Sequence, residues 1–292
     1  MNNNTNYKKI LPFIIIIVMS LIIIFSIIFI INKNASNNKS NEISQENTTK
    51  NIEIPKEKDR FEGLNLTNEN VGVTVLYYHA VAPAHPGEEL YVSPTQLKEQ
   101  LQLIKSLGYT SLTMAEVNDY IKNNKAIPEK SILITFDDGY TDNYTNAFPI
   151  LKELDMKATI FVITSATDKD NFYVSSAQIK EMSDYGIDIE SHTVNHVHLN
   201  TLSYEKQLEE LKNSKSKIES ITKKDVLSVA YPYGDYNDDT KKATIAAGYS
   251  IAFTTDAGLA DRTDNPVALN RIYVNSLNSL DVFKDKLLKV IK

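Results

Sequence analysis

Three patterns of apolar and polar positions follow one another along this chain of 292 residues. From Ile10 to Ile31 the sequence reads ILPFIIIIVMSLIIIFSIIFII, uncharged, with Ser20 and Ser26 as its polar side chains. Such a run is long enough to cross a bilayer as a helix. Lys8 and Lys9 precede it, which places residues 1–9 in the cytoplasm and the remainder of the chain outside. A cleaved signal peptide is the alternative, but the length of the run and the lack of a small-residue cleavage site favour an uncleaved transmembrane anchor over 10–31. Residues 32–69 are rich in Asn, Ser, Lys and Glu and poor in large apolar side chains, so they read as a flexible stalk. The third pattern, from 70 to 292, alternates short apolar runs with amphipathic segments.

That alternation predicts strands at VTVLYYHAV, ILITF, ATIFVIT, IDIES, VLSVAY and SIAFTT. Helices are predicted between them. Ser93-Pro94-Thr95-Gln96 opens one that stops at Gly108, and Thr113-x-x-Glu116 and Ser175-x-x-Gln178 are capping boxes for two more. NAFPILKELDM, the long polar segment beginning SYEKQLEEL, NDDTKKATIAAGY and the C-terminal SLDVFKDKLLKVIK supply the rest. A repeated β-then-α order predicts a parallel sheet with helical crossovers. Six or seven strands in one domain of this size suit a closed or nearly closed barrel. No strand is followed by a glycine-rich phosphate fingerprint, which argues against a nucleotide-binding sheet.

Composition narrows the partners. There is no cysteine, so disulfides and thiolate metal sites are excluded and the domain must be stabilised by its core. Beyond the apolar run, 29 basic residues stand against 37 acidic ones, a balance of −8. That argues against nucleic acid or an anionic polymer as partner. A neutral substrate fits better.

The polar residues at the C-terminal ends of the predicted strands carry the candidate chemistry. His79, the pair Asp137-Asp138, Glu190 to His196, Tyr231 to Asp235 and Thr254 to Asp256 all fall there, on the rim where β/α barrels assemble active sites. Adjacent carboxylates repel each other and add nothing to a core, so a cation or a proton must hold them. Three of the five histidines lie in SHTVNHVHL. His192 and His196 are spaced to share one helical turn. With one aspartate of the pair they make a His₂Asp set, three protein ligands with a position left open, as in a catalytic metal site.

TFDDGY, then S-H-T-x-x-H, then Y-P-Y-G, in this order, resemble the polysaccharide deacetylases of carbohydrate esterase family 4, over most of residues 71–274. The resemblance implies a distorted (β/α)7 barrel and hydrolysis of the acetamide on N-acetylglucosamine units. Asp137 then matches the catalytic base, Asp138 the metal-binding carboxylate, and His192 and His196 the histidine ligands. Tyr233 matches the residue whose backbone N–H helps hold the oxyanion. A divalent metal would polarise the carbonyl and lower the pKa of water beside it, while Asp137 takes the proton. Zinc is the expected metal, with cobalt and nickel admitted by the same ligands.

Two positions depart from the larger part of the family. No histidine follows His198, so the late Leu-x-His motif that protonates the leaving amine is missing. LYYHAV resembles the Tyr-His motif of the biofilm poly-N-acetylglucosamine branch, which makes His79 the expected general acid, with Asp256 as a candidate to orient it. Ala230 stands where an arginine usually steadies the base, and Arg271 in ALNRIYV is the expected substitute, paired with Asp137. His85 is read as a rim residue and His198 as a supporting one. Tyr77, Tyr78, Tyr140, Tyr231 and Tyr233 lie near the rim and are candidates to stack on sugars.

The reading is therefore a monomeric, membrane-anchored N-deacetylase acting outside the cytoplasm on an N-acetylglucosamine-containing glycan. Peptidoglycan is favoured and poly-N-acetylglucosamine is kept open. A catalytically silent glycan-binding module on the same fold, or an acetyl-ester or small-amide hydrolase, are the alternatives.

Overall fold

The computed structural model describes residues 59–83 and 87–289. The apolar run, most of the predicted stalk and His85 lie outside the described residues. Among those described, no helix is long and apolar enough to cross a membrane.

The described residues form ten strands: β1 (Leu66–Thr67), β2 (Thr74–Tyr78), β3 (Thr110–Ser111), β4 (Ile127–Pro128), β5 (Ser131–Phe136), β6 (Thr159–Val162), β7 (Asp188–Ser191), β8 (Ser228–Ala230), β9 (Ile251–Ala257) and β10 (Leu269–Tyr273). Seven of them close a parallel barrel in the order β2-β10-β9-β8-β7-β6-β5, and β5 returns to β2. The closing seam is regular, from Thr74 opposite Ile132 to Tyr78 opposite Phe136. The far edge of β5 is shared. β3 takes its lower end at Ser131 and Ile132, and β6 takes only Thr135 and Phe136. This split edge and a register shift between Leu269 and Arg271 on β10 distort the ring.

Among the described residues, seven α-helices accompany the strands: α1 (Pro94–Ser106), α2 (Met114–Asn123), α3 (Phe148–Leu154), α4 (Ser176–Tyr185), α5 (Tyr204–Thr222), α6 (Asp238–Ala246) and α7 (Leu280–Lys289). The capping boxes do what their sequences predict. Thr113 accepts from the Glu116 N–H while the Glu116 carboxylate accepts from the Thr113 N–H, and Ser175 and Gln178 repeat the arrangement. Gly186 ends α4 with φ of 108°, open to glycine without strain. β10 escaped the sequence pattern, because no helix separates it from β9 and its alternation is interrupted by Asn270 and Arg271.

Side chains alternate across the barrel wall. Leu76, Ile134, Ile160, Val162, Val229 and Ala252 face outward and pack with helix residues such as Leu97, Leu101, Ile179 and Leu211. Val75, Leu133, Phe161, Ala230, Phe253 and Leu269 fill the interior. One correction concerns the domain boundary. Residues 59–69, read as the end of the stalk, belong to the folded unit. β1 pairs antiparallel with β4, the Arg60 guanidinium donates to the Ser111 carbonyl at 2.9 Å, and Phe61 packs on the inner cluster. A polar composition concealed one anchoring aromatic and one anchoring cation.

Glu190, expected on the rim, is instead buried within the barrel and accepts from the Ser228 N–H at 2.7 Å. Burial pushes its carboxyl well above the ordinary value. The folded protein therefore holds a proton that the unfolded chain has released. That contribution to stability is complete below the ordinary carboxylate pKa and is lost as pH rises through the folded value. Glu190→Gln is expected to raise the melting midpoint at pH 8 by roughly 2–4 °C per kcal/mol recovered, with little change at pH 4; thermal unfolding at both values checks it.

Candidate metal centre and active site

β5 ends in Asp137 and Asp138, and the backbone decides how both serve one site. Along an extended strand, neighbours point to opposite faces. Asp138 adopts φ of 73°, a left-handed conformation that aspartate tolerates, and Gly139 follows at 72°. The chain thereby turns over, and both carboxylates line the same cleft. A Cβ at Gly139 would meet Val162 at 2.9 Å, so glycine is required here by space as well as by conformation.

Asp138 Oδ1 lies 3.4 Å from His192 Nε2 and 3.3 Å from His196 Nε2. The three ligand atoms lie within 4.8 Å of one another. Asp138 Oδ1 is buried without a hydrogen-bond partner among the described residues, a costly state for a carboxylate oxygen unless something else binds it. His192 Nδ1 donates to the Ala230 carbonyl at 2.8 Å, which leaves the Nε2 lone pair facing Asp138. Burial and the neighbouring His192 push His196 down to about 4, so its imidazole is neutral at physiological pH. Burial would raise Asp138, but contact with His192 holds it well below the usual carboxylate range. One charged oxygen and two imidazole nitrogens, one of them neutral, converge on a point. That donor set fits a divalent metal ion.

The histidines do not share the predicted helical turn. They lie on a loop in which Thr193 and His196 take φ of 65° and 53°. Glu210 of α5 holds that loop by accepting from the Val194 and Asn195 N–H groups at 3.0 and 2.9 Å. The ring centroids of His192 and His196 end 4.8 Å apart.

Asp137 is gripped from the opposite side. Arg271 Nη1 and Nη2 each donate to one of its oxygens at 2.8 Å, a bidentate pair within the barrel. Arg271 is itself fully buried, donates to the Thr254 carbonyl at 2.9 Å, and lies over the Tyr77 ring at 4.4 Å. Burial alone would raise the Asp137 carboxyl, yet the guanidinium keeps it below its ordinary value.

His79 stands just beyond β2, its ring edge-on to Tyr77 and Tyr273 at 5.9 and 6.3 Å. Burial lowers its pKa. Asp256 does not orient it. That side chain is exposed, and its own N–H is engaged by Thr254. Tyr233 takes φ of 61° in a 3₁₀ turn, with its ring stacked on His198 at 3.9 Å and edge-on to His196 at 4.6 Å. His198 in turn bonds Asp235 at 2.6 Å. The following Gly234 approaches Thr255 so closely that a Cβ would lie 2.0 Å from its Oγ1.

These groups surround one cleft of ≈390 Å³, walled also by Tyr140 and Tyr273. Of the tyrosines expected at the rim, Tyr78 and Tyr231 are misplaced: both rings are fully buried, Tyr78 stacked on Phe136 outside the barrel and Tyr231 on Tyr236, with its hydroxyl donating to the Val267 carbonyl at 2.9 Å. Tyr140 is expected only as a sugar platform, but its phenol also interacts with Asp138: burial and the carboxylate's charge raise the phenol's pKa. Its place immediately after Asp-Asp-Gly was the available signal.

A model of the polysaccharide deacetylase family matches residues 124–252. The chain is similar to a Bacillus subtilis protein named "Putative polysaccharide deacetylase YxkH", at 35% identity over 77% of this chain and 79% of that one. It is similar to the poly-beta-1,6-N-acetyl-D-glucosamine N-deacetylase of Staphylococcus aureus at 30% identity, over 63% of this chain and 68% of that one. Among solved structures, the Streptococcus pyogenes deacetylase PplD in complex with acetate superposes with a TM-score of 0.72 at 34% identity, covering 77% of this chain and all (100%) of that one. The motifs, the barrel and these relatives agree, and the chain belongs to the polysaccharide deacetylases, hydrolases acting on N-acetyl amides.

Proposed function

We propose that this protein is a metal-dependent N-deacetylase that removes acetyl groups from N-acetylglucosamine units of an extracellular glycan. The observation that carries the reading is the convergence, in one cleft, of the Asp138–His192–His196 donor set with an Asp137 that Arg271 keeps ionised. Zinc is the metal we assign, from the two imidazoles and one carboxylate. When bound, such a cation supplies Lewis acidity toward the acetamide carbonyl and toward water.

The protein's own groups do the rest. Asp137, adjacent to the ligand set but bonded to Arg271, accepts the proton from the attacking water. The Tyr233 backbone N–H is assigned to the developing oxyanion. His79 gives a proton to the departing amine nitrogen; the charges of Asp137 and Asp138 oppose the burial that lowers its pKa and favour the protonated imidazole this step needs. The amide C–N bond breaks, the amine stays on the glycan as a glucosamine unit, and the acetyl group departs as acetate.

Peptidoglycan remains the favoured substrate and poly-N-acetylglucosamine the second. The S. aureus relative is named for the latter polymer, and the −8 balance suits an uncharged glycan. The run at 10–31 supports a single-pass anchor with the catalytic domain outside.

The test uses the full chain in detergent, stripped of metal with a chelator and then titrated with zinc, cobalt or nickel. Acetate release from N-acetylglucosamine oligomers and from purified peptidoglycan should vanish on stripping and return on loading. Metal uptake without acetate from any glycan would overturn the assignment.

A further inference from the structure

The motif that carries the two aspartates runs on as Gly-Tyr-Thr-Asp-Asn, and its last two residues have no part in the chemistry so far. They begin an unusual segment. Residues Asn143–Ala147 form a π-helical turn ahead of α3, a rare geometry that is frequent at functional sites. From this turn, three side chains reach the backbone just past β2. Asn143 Nδ2 donates to the His79 carbonyl at 2.9 Å. Asp142 Oδ1 accepts from the Val81 N–H at 2.9 Å, and Asn146 Nδ2 donates to the Val81 carbonyl at 2.7 Å. The Ala80 carbonyl between them accepts from the Val92 N–H at 3.0 Å. Asn143 is fully buried.

His79 needs such a hold more than most catalytic histidines do. Its Nδ1 is buried and has no hydrogen-bond partner among the described residues. A catalytic imidazole is ordinarily fixed by an acceptor on its second nitrogen, and none is present here. Ring contacts with Tyr77 and Tyr273 limit the tilt of the imidazole, so its position must be set through the backbone. We propose that Asp142, Asn143 and Asn146 are positioning residues that hold the His79 segment in register with Asp137, on the same β2–β5 seam where the Asp137 N–H donates to the Tyr78 carbonyl at 2.9 Å. The acid is thereby fixed relative to the base by backbone hydrogen bonds. This rests on the reading of His79 as the general acid.

A group that positions an acid matters only where the leaving group needs a proton. Amide cleavage expels an amine that must be protonated, whereas an aryl acetate expels a phenolate that does not. The experiment compares acetate release from an N-acetylglucosamine oligomer with hydrolysis of 4-nitrophenyl acetate, using the metal-loaded full chain. Asn143→Ala and Asp142→Ala are expected to lower the amide-to-ester ratio of kcat roughly 10- to 100-fold, the scale of an ångström of misplacement. Asp142→Asn retains an acceptor for the Val81 N–H and is expected to restore the ratio. His79→Ala must show the same split; if it does not, the acid reading itself fails. If His79→Ala shows the split but both alanine variants lose amide and ester turnover equally, the residues are structural only and the proposal is overturned.

Discussion

Asp137→Asn is expected to lower kcat/KM for N-acetylglucosamine oligomers by roughly 10²–10⁴-fold, the contribution of a positioned general base. Metal affinity should be nearly unchanged. The variant is informative because it separates two functions that one short motif places side by side. Asn is isosteric with Asp and keeps one oxygen to accept from Arg271, so the interior pair is weakened but the cavity remains filled. The ligand set at Asp138, His192 and His196 does not include the altered carboxylate. What disappears is a proton acceptor of low pKa adjacent to the reacting carbonyl. Metal titration by calorimetry and acetate release on the same preparation check both halves. Full activity would remove Asp137 as the base; lost metal binding would show it to be a ligand. Asp137→Ala is a poorer experiment, since it leaves the buried Arg271 charge without a counter-ion.

Much of this site was legible because its chemistry is local in sequence. The aspartate pair, the glycine that turns the chain, and the two histidines each sit within a few residues of a strand end. The apolar runs of β5 and β7 located those ends. The barrel was legible for the same reason, except where the signal is spread between segments. β10 has no preceding helix to frame it. The 59–69 arm owes its order to Phe61 and Arg60, two residues in a polar stretch. The turn that brings His192 and His196 together depends on Glu210, a charge on a distant helix, and a spacing of four imitates a helical turn. Tyr78 and Glu190 show the complementary limit. Alternation predicts that neighbours face opposite ways, but it does not say which residue of the strand's last pair reaches the cleft.

Arg271 tests how far a substitution at one strand can be answered from another. Ala230 and Arg271 both belong to interior-facing positions of the barrel, on β8 and β10, with β9 between them. Ala230 contributes only its carbonyl, which fixes the His192 tautomer. The cation comes from β10 instead, at a register shift, and reaches Asp137 with both nitrogens. Arg271→Met is therefore expected to have two linked effects. The first is a stability loss of about 3–5 kcal/mol at neutral pH, because a buried carboxylate loses its only cation among its described hydrogen-bond partners. The Asp137 pKa is depressed in the folded protein, so its stabilising contribution is present above the ordinary carboxylate value and is lost as pH falls through the folded value. The gap between wild type and variant should accordingly be widest at pH 8, shrink as pH falls through the variant's raised Asp137 pKa, and reach its minimum only below the depressed folded value of the wild type. The second effect is on turnover. With the guanidinium gone, burial alone acts on Asp137 and raises it. The acid limb of kcat/KM then moves to higher pH, and part of the activity lost at pH 7 returns in more alkaline buffer. Arg271→Lys should recover little of either, because one ammonium cannot satisfy both carboxylate oxygens and the Thr254 carbonyl at once. Urea unfolding and pH–rate profiles on the three proteins decide the matter: an Arg271→Met enzyme with an unshifted acid limb would mean that the base is ionised without the arginine.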